Sequence, residues 1–94
     1  MAVGLVIDLD GMTAEGYDQL NAEANFPAEA PDGLISHIAG PTDGGFRIVD
    51  VWESVEDFDR FVEERLLPAM GRVSGGAVEA PTPQEFPIHA EFHR

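Results

Sequence analysis

The sequence predicts a single α+β domain whose strands and helices follow the order β-α-β-β-α-β. Three observations lead to this class. Short apolar or alternating segments, typical of strands, lie near both ends and in the middle of the chain. Two other segments repeat apolar residues at spacings of three and four, as helices do. An Asp-Gly turn signal separates the two central strands. Ninety-four residues suffice for one domain, which we expect to span residues 1–94.

The first strand and the first helix follow from the N-terminal third of the chain. The mostly apolar run Ala2–Asp8 predicts a strand buried on both faces. Thr13 is an expected N-cap for a helix over Ala14–Asn25, and Pro27 and Pro31 then impose a loop. The inward stripe of this helix is expected to contain Tyr17, Leu20 or Asn21, and Ala24.

The central hairpin consists of Leu34–Ala39 and Phe46–Glu53 on either side of GPTDGG. A type I′ turn at Asp43-Gly44 would place His37 opposite Asp50 and Ile35 opposite Trp52, whereas a looser six-residue loop would move each partner by two residues. Either register keeps the same faces. One face carries Ile35, His37, Ala39, Phe46, Ile48, Asp50 and Trp52, and the other carries Leu34, Ser36, Ile38, Arg47, Val49 and Val51.

The C-terminal half predicts a second helix and a last strand. Ser54 is the expected N-cap, and Pro68 interrupts the helical pattern before a short extra turn over Ala69–Val73. The alternating segment Glu85–Phe92 predicts an edge strand because it contains Pro87. The inward stripe of the helix is Val55, Phe58, Phe61, Val62 and Leu66, and Phe58, Phe61 and Phe92 are predicted core residues.

This order is the ferredoxin-like pattern, a four-stranded antiparallel sheet with both helices on one face. Both faces of the central hairpin are largely apolar, so the face without helices needs a partner. The sequence therefore predicts a homodimer.

Composition limits the other partners. The formal charge of −13 repels nucleic acid and anionic membrane surfaces, so neither is an expected partner. There is no cysteine, which excludes disulfides and thiolate chemistry. The N-terminal segment lacks a basic region and its apolar run is short, so we expect a soluble, cytoplasmic protein.

The segment Val51–Met70, VWESVEDFDRFVEERLLPAM, resembles the dimeric α/β-barrel superfamily. That superfamily includes the antibiotic-biosynthesis monooxygenases and the haem-degrading monooxygenases. The shared pattern is a strand ending in Trp, then Glu-Ser, then a helix with spaced Phe residues and a Pro or Ala near its end. The resemblance implies that two sheets pair face to face between subunits and that each subunit has a cleft between its sheet and helices for small apolar molecules.

The catalytic residues of that superfamily do not carry over. Haem-degrading members have a second Trp in the helix and a haem-ligating His near its end, where this chain has Phe61 and Gly71. The resemblance therefore implies neither haem degradation nor a haem cofactor here, and we predict no cofactor. Quinone-forming members use an Asn, a Trp, a Tyr and an Arg, for which this chain offers Trp52 and Arg47 as counterparts.

His37 and Asp50 are the candidate catalytic residues, because a carboxylate beside an imidazole can orient it as a general base. The alternative is a structural His-Asp pair in the dimer interface. Trp52 would supply an aromatic wall or, alternatively, only core packing. The other candidate ligand contacts are Tyr17, Phe61 and Arg47, the last on the opposite face by parity.

The alternation of His89, Glu91 and His93 near the end of the chain has a metal-ligand spacing, but such a set arises easily by chance, and we predict no metal site. Three functions stay open on the sequence alone. The chain binds a small apolar or aromatic molecule, it is a cofactor-independent monooxygenase acting on a polyphenol or quinol, or it is a purely structural dimer.

Overall fold

The computed structural model describes residues 2–26, 28–74 and 82–92. Over these ranges the predicted α+β order is confirmed. The sheet is four-stranded, its neighbouring strands are antiparallel, and its spatial order is β2-β3-β1-β4. The elements are β1 (Val3–Asp10), α1 (Ala14–Ala24), β2 (Leu34–Thr42), β3 (Gly45–Trp52), α2 (Val55–Phe61), a π-helical segment (Val62–Leu66), α3 (Leu67–Ser74) and β4 (Gln84–Pro87).

Both predicted helix caps are present. The Thr13 hydroxyl accepts a hydrogen bond from the Gly16 amide at 3.0 Å, and the Ser54 hydroxyl accepts one from the Asp57 amide at 3.2 Å. Each bond satisfies a backbone donor that has no partner within its own helix. The C-cap residue that follows α1 is Asn25, and its φ of 58° is left-handed.

Pro68 widens the second helical segment and does not end it. The Leu67 amide bonds to the Val62 carbonyl, five residues back, in the turn just before the proline. A proline lacks an amide proton and crowds the carbonyl one turn earlier, and a π turn relieves both problems. α2, the π-helical segment and α3 consequently follow one another without a loop.

The central hairpin has the predicted tight register, with His37 opposite Asp50. Its turn is not type I′, because Gly44 has a φ of 79° whereas Asp43 does not have a positive φ. The predicted pairing of Ile35 with Trp52 is wrong. A β-bulge at Ile35 pairs Leu34 with Trp52, so Leu34 joins the face of Trp52 and Ile35 is 44% exposed.

The core lies between one sheet face and the helices. Leu5, Ile7 and Trp52 of the sheet pack against Phe58 and Val62 of the second helical segment. A second cluster joins the two helical segments through Leu20, Ala24 and Ala69. Both helical segments therefore cover the same face, which is the one that carries His37 and Asp50.

The opposite sheet face has no helix on it. Its most exposed apolar side chains are Ile38, at 64%, and Phe86, at 46%. The Phe86 ring lies directly over Gly4, where a Cβ atom would collide with it, and this close approach fixes β4 beside β1. The rest of this face is formed by Val6, Val49, Val51 and the Asp8–Arg47 pair.

The C-terminal prediction needs correction. β4 ends at Pro87 and does not continue to Phe92, and Phe92 is 85% exposed, so its assignment to the core is wrong. Phe58 is buried as predicted, and Phe61 is partly buried against the core. None of the helices in the described part of the chain combines the length and apolar character needed to cross a bilayer.

Candidate functional site

An open cleft of about 530 Å³ lies between α1, the loop after it and the start of β2. Its apolar lining comes from Phe26, Ala30, Leu34 and Ile35. Its polar lining comes from Tyr17, Asp18, Asn21, Ser36 and His37. The volume falls within the range of small-molecule sites, about 300–1,000 Å³. The cleft can therefore admit a small, mostly apolar molecule beside a few polar groups.

A chain of hydrogen bonds runs from this cleft into the core. The Tyr17 hydroxyl lies 2.5 Å from His37 Nε2, and His37 Nδ1 lies 2.6 Å from Asp50 Oδ1. Trp52 Nε1 donates to Asp50 Oδ2 at 3.1 Å. Solvent exposure falls along this series of hydrogen bonds. The His37 side chain is 20% exposed and the Asp50 side chain 7%, and the whole Trp52 residue is 1% exposed.

The hydrogen-bond partners of His37 indicate which of its ring nitrogens carries a proton. The Asp50 carboxylate can only accept, so His37 Nδ1 carries a proton and donates it. In a neutral imidazole Nε2 is then an acceptor, and the Tyr17 hydroxyl donates to it. Both oxygens of Asp50 are used, and no buried side-chain nitrogen or oxygen among the described residues lacks a partner. The arrangement is that of a base held in one tautomer by a buried carboxylate.

Aromatic neighbours hold Tyr17 and His37 in place. Tyr17 stacks on Phe46 with the ring centroids 4.9 Å apart, and Phe26 meets the His37 ring edge-on at 4.8 Å. Burial, together with the negative charges of Asp50 and Asp18, raises the pKa of Tyr17 above its usual value of 10.0, although a hydrogen bond from Asn21 opposes the shift. Tyr17 is therefore a protonated phenol near neutral pH.

Tyr17, His37, Asp50 and Trp52 are joined by hydrogen bonds, whereas the candidates Phe61 and Arg47 lie away from the cleft. Trp52 lies behind Asp50 and does not line the cleft, so it supports the carboxylate where an aromatic wall was expected. Phe61 packs against Trp52 at 5.8 Å and faces a neighbouring polar hollow that contains Asp57, Arg60 and Arg65.

Arg47 lies on the sheet face without helices, as parity predicted, and is bound there. Its guanidinium donates to both oxygens of Asp8, at 2.7 and 3.0 Å. These hydrogen bonds lower the pKa of Asp8 and raise that of Arg47. Arg47 therefore does not reach the cleft in this chain.

The described residues contain no group of three or more His, Cys, Asp or Glu side chains that could hold a metal ion. The candidate set at the C-terminus includes His93, which lies outside the described residues.

Two contacts that complete the site, of His37 with Tyr17 and with Phe26, were not predicted from the sequence. The contact between Tyr17 and His37 joins a helix to a strand twenty residues away, and no local pattern encodes it. Phe26 follows α1 and was assigned no role. Its signal in the sequence is an aromatic residue directly after the expected helix end, which often packs back onto the same domain.

Comparison with solved structures places this architecture among known proteins. Rv0793 from Mycobacterium tuberculosis aligns with a TM-score of 0.68 and 14% identity, over 97% of this chain and 98% of that protein. SnoaB, a cofactor-independent oxygenase from Streptomyces nogalater, aligns with a TM-score of 0.64 and 17% identity, over 99% and 98%. The heme-degrading protein Rv3592 from Mycobacterium tuberculosis aligns with a TM-score of 0.53 and 18% identity, over 99% and 100%.

No protein-family model and no curated protein sequence matches the chain. At these identities the structural matches show a common fold, and at that level they confirm the resemblance, since antibiotic biosynthesis monooxygenases and a heme-degrading protein are among them. An oxygenase and a heme-degrading protein share this fold, so the fold does not select the reaction. The function has to be argued from the residues of the cleft.

Proposed function

We propose that this protein binds a small, mostly apolar aromatic molecule in the cleft and removes a proton from it with the His37–Asp50 pair. The observation that carries the proposal is an imidazole at an open cleft, bound at 2.6 Å to a carboxylate that is itself almost fully buried. A carboxylate held in this way stabilises the imidazolium that forms when His37 accepts a proton.

The lining supports an aromatic ligand. The Phe26 and Tyr17 rings border the cleft, and Leu34 and the half-exposed Ile35 extend its apolar surface. Flat aromatic molecules gain from ring stacking and edge contacts in addition to the burial of apolar area. Five of the nine lining residues carry a polar group, and these can orient one reactive group on an otherwise apolar ligand.

The reaction that fits is cofactor-independent oxygenation of a quinol or anthrone. After loss of the phenolic or enolic O–H proton, the ligand anion shares its charge with a ring carbon and donates an electron to dioxygen. The resulting radical pair combines at that carbon to a peroxide, which takes back the proton from the protonated His37 to form a hydroperoxide. Loss of water then converts the CH₂ carbon of an anthrone, or a ring CH carbon of a quinol, to a carbonyl. One oxygen atom enters the product, the other leaves as water, and every electron comes from the ligand. Fold similarity to SnoaB supports this choice by analogy.

Blocking the cleft tests binding. We expect Ala30→Trp to reduce the affinity for an apolar fluorescent probe such as anilinonaphthalene sulfonamide by at least about tenfold, because the indole would occupy the space beside Phe26. Ala28→Trp is the matched control, since Ala28 is exposed in the same loop but does not line the cleft. Titration by fluorescence measures both. Equal affinities in the two variants would contradict a ligand site at this cleft.

We also propose that two copies pair through the sheet face without helices. Ile38 and Phe86 are strongly exposed there, and Val6, Val49 and Val51 lie between them. A continuous apolar surface of this kind is typical of an interface. Asp8 and Arg47 neutralise one another, and Asp10 lies at the end of β1 on the same face, so a second copy meets little net charge at the centre of the face despite the formal charge of −13.

A charge placed in this face tests the pairing. We expect the wild type to be a dimer at micromolar concentration and Ile38→Glu to be a monomer, because each copy would bury an unpaired carboxylate in the interface. Ala22→Glu adds the same charge on an exposed position of α1 and is expected to stay dimeric. Multi-angle light scattering gives the mass of each. A monomeric wild type, or a dimeric Ile38→Glu, would argue against this interface.

A further inference from the structure

We propose that Tyr17, and not His37, is the group that exchanges a proton with the ligand, and that the cleft therefore accepts neutral molecules with a transferable O–H proton and rejects permanent anions. This inference rests on the proposed function, because it assumes a ligand in the cleft. It assigns the ligand contact to a different residue from the base.

Tyr17 is the group that a ligand meets, because both ring nitrogens of His37 already have hydrogen-bond partners. His37 has two ring nitrogens, and both are engaged, Nδ1 with Asp50 and Nε2 with Tyr17. A ligand can reach a nitrogen of His37 only by displacing the Tyr17 hydroxyl. That hydroxyl donates its one proton to Nε2, accepts a hydrogen bond from Asn21, and keeps one oxygen lone pair that can accept from a ligand. Tyr17 also lines the cleft, so a ligand O–H can approach it directly.

The proton then moves in two linked steps. The ligand O–H bond breaks as a proton passes to the Tyr17 oxygen, while the original Tyr17 proton passes to His37 Nε2. His37 Nδ1 keeps its proton and its hydrogen bond to Asp50 Oδ1, and Trp52 continues to donate to Asp50 Oδ2. The products are a ligand oxyanion that accepts a hydrogen bond from a neutral Tyr17, and an imidazolium held between Tyr17 and Asp50. Charge balances without any ion entering or leaving the site.

The charges around the cleft are the reason that permanent anions are rejected. Among the described residues that line it, Asp18 on α1 is the one charged side chain apart from the ionisable His37, and Asp50 lies behind on β3. Neither Phe26 in the loop nor Leu34, Ile35 and Ser36 on β2 contributes a cation. A carboxylate or phosphate ligand would meet these two acidic groups before any positive charge existed. A neutral ligand creates its compensating cation by its own proton transfer.

The burial of Tyr17 agrees with this role. Its raised pKa keeps the phenol protonated at neutral pH, so Tyr17 passes a proton on and does not act as a permanent phenolate. The stacking on Phe46 fixes the ring, which keeps the hydroxyl in line with Nε2. A Phe at position 17 would preserve that stacking and remove only the oxygen.

The test uses para-nitrophenol, whose anion is yellow and whose neutral form is colourless, and para-nitroanisole, which has nearly the same shape but no O–H. At a pH where free para-nitrophenol is mostly neutral, wild type is expected to bind it as the yellow anion. In Tyr17→Phe both probes should bind within a few-fold of wild type, while the ratio of anion to neutral form in the bound para-nitrophenol falls at least about tenfold. Glu23→Gln removes an exposed carboxylate on α1 that does not line the cleft, and it is expected to leave the bound spectrum unchanged.

Two further measurements on wild type do not depend on the folding of a variant. Calorimetric titration with para-nitrophenol in buffers of different ionisation enthalpy should give the same binding enthalpy, since the proton stays on the protein. The permanent anion para-nitrobenzoate should bind at least about tenfold more weakly than para-nitrophenol, because it meets Asp18 and Asp50 uncompensated.

Each contrary result overturns the inference in its own way. Yellow bound probe in Tyr17→Phe would show that the ligand reaches His37 directly. A proton released to buffer by wild type would exclude transfer to the relay, and tight binding of para-nitrobenzoate would exclude the rejection of permanent anions. Colourless binding of both probes by wild type would overturn this inference and leave the proposed ligand site standing. Failure of both probes to bind would remove the proposed function together with it.

Discussion

Replacing His37 with alanine is expected to lower the rate of dioxygen consumption with a quinol or anthrone substrate by about 100- to 10,000-fold, the usual contribution of a positioned base. The reason is that His37 is the one group in the described cleft that accepts a proton and is backed by a buried carboxylate. Ligand affinity should change by no more than a few-fold, because the apolar lining is untouched. An oxygen electrode measures the rate, and probe fluorescence measures the affinity.

His89→Ala is the matched control, since His89 is exposed near the C-terminus, away from the cleft. It is expected to consume dioxygen at the wild-type rate. If wild type and His37→Ala oxidise the substrate at equal rates, His37 has no catalytic role. Ligand binding without turnover by wild type would identify a non-catalytic binding protein.

Replacing Asp50 with alanine is expected to lower the free energy of unfolding by about 3 kcal/mol, the order expected when two donors in the interior lose their charged acceptor. Asp50 is 5% exposed and satisfies two donors, His37 Nδ1 and Trp52 Nε1. Without it the indole N–H is left buried without an acceptor, and the cost of that desolvation is not recovered. Urea unfolding followed by Trp52 fluorescence measures the change in midpoint.

Glu23→Ala provides the comparison for Asp50→Ala. It removes a carboxylate from an ion pair with Arg72 that is about half exposed on both sides, and such pairs contribute little to stability. Its midpoint is expected to remain near that of wild type. An Asp50→Ala midpoint equally close to wild type would mean that water or another group replaces the carboxylate, and the rigid relay described above would not exist.

The predictable parts of this fold are those that local physics determines. Thr13 and Ser54 are caps because a hydroxyl at that position satisfies a helix amide, and this requires no knowledge of the rest of the chain. The register of His37 with Asp50 follows from a tight Asp-Gly turn, and parity then places Arg47 on the other face.

The remaining features depend on packing between distant segments. The bulge at Ile35 adds a residue to one strand only, which no alternation pattern reveals. Pro68 predicted an interruption, but the helix accommodates it by widening one turn, a choice that depends on the burial of Val62 and Ala69 on either side. The apolar alternation up to Phe92 predicted a longer strand, yet β4 ends at Pro87, since alternation alone does not supply a hydrogen-bonding neighbour.

The bulge at Ile35 makes the direction of the Ile35 side chain independent of that of His37, whereas in a regular strand one would fix the other. The turn at the far end of the hairpin fixes the parity of His37, whereas the bulge sets the parity of Leu34 and the outward direction of Ile35. The mouth of the cleft can thus be reshaped by substitution, or by deletion of one residue at the bulge, without reversing the strand phase that carries the imidazole. The shape of the cleft mouth and the position of the His37 imidazole are therefore set by separate features of the same strand.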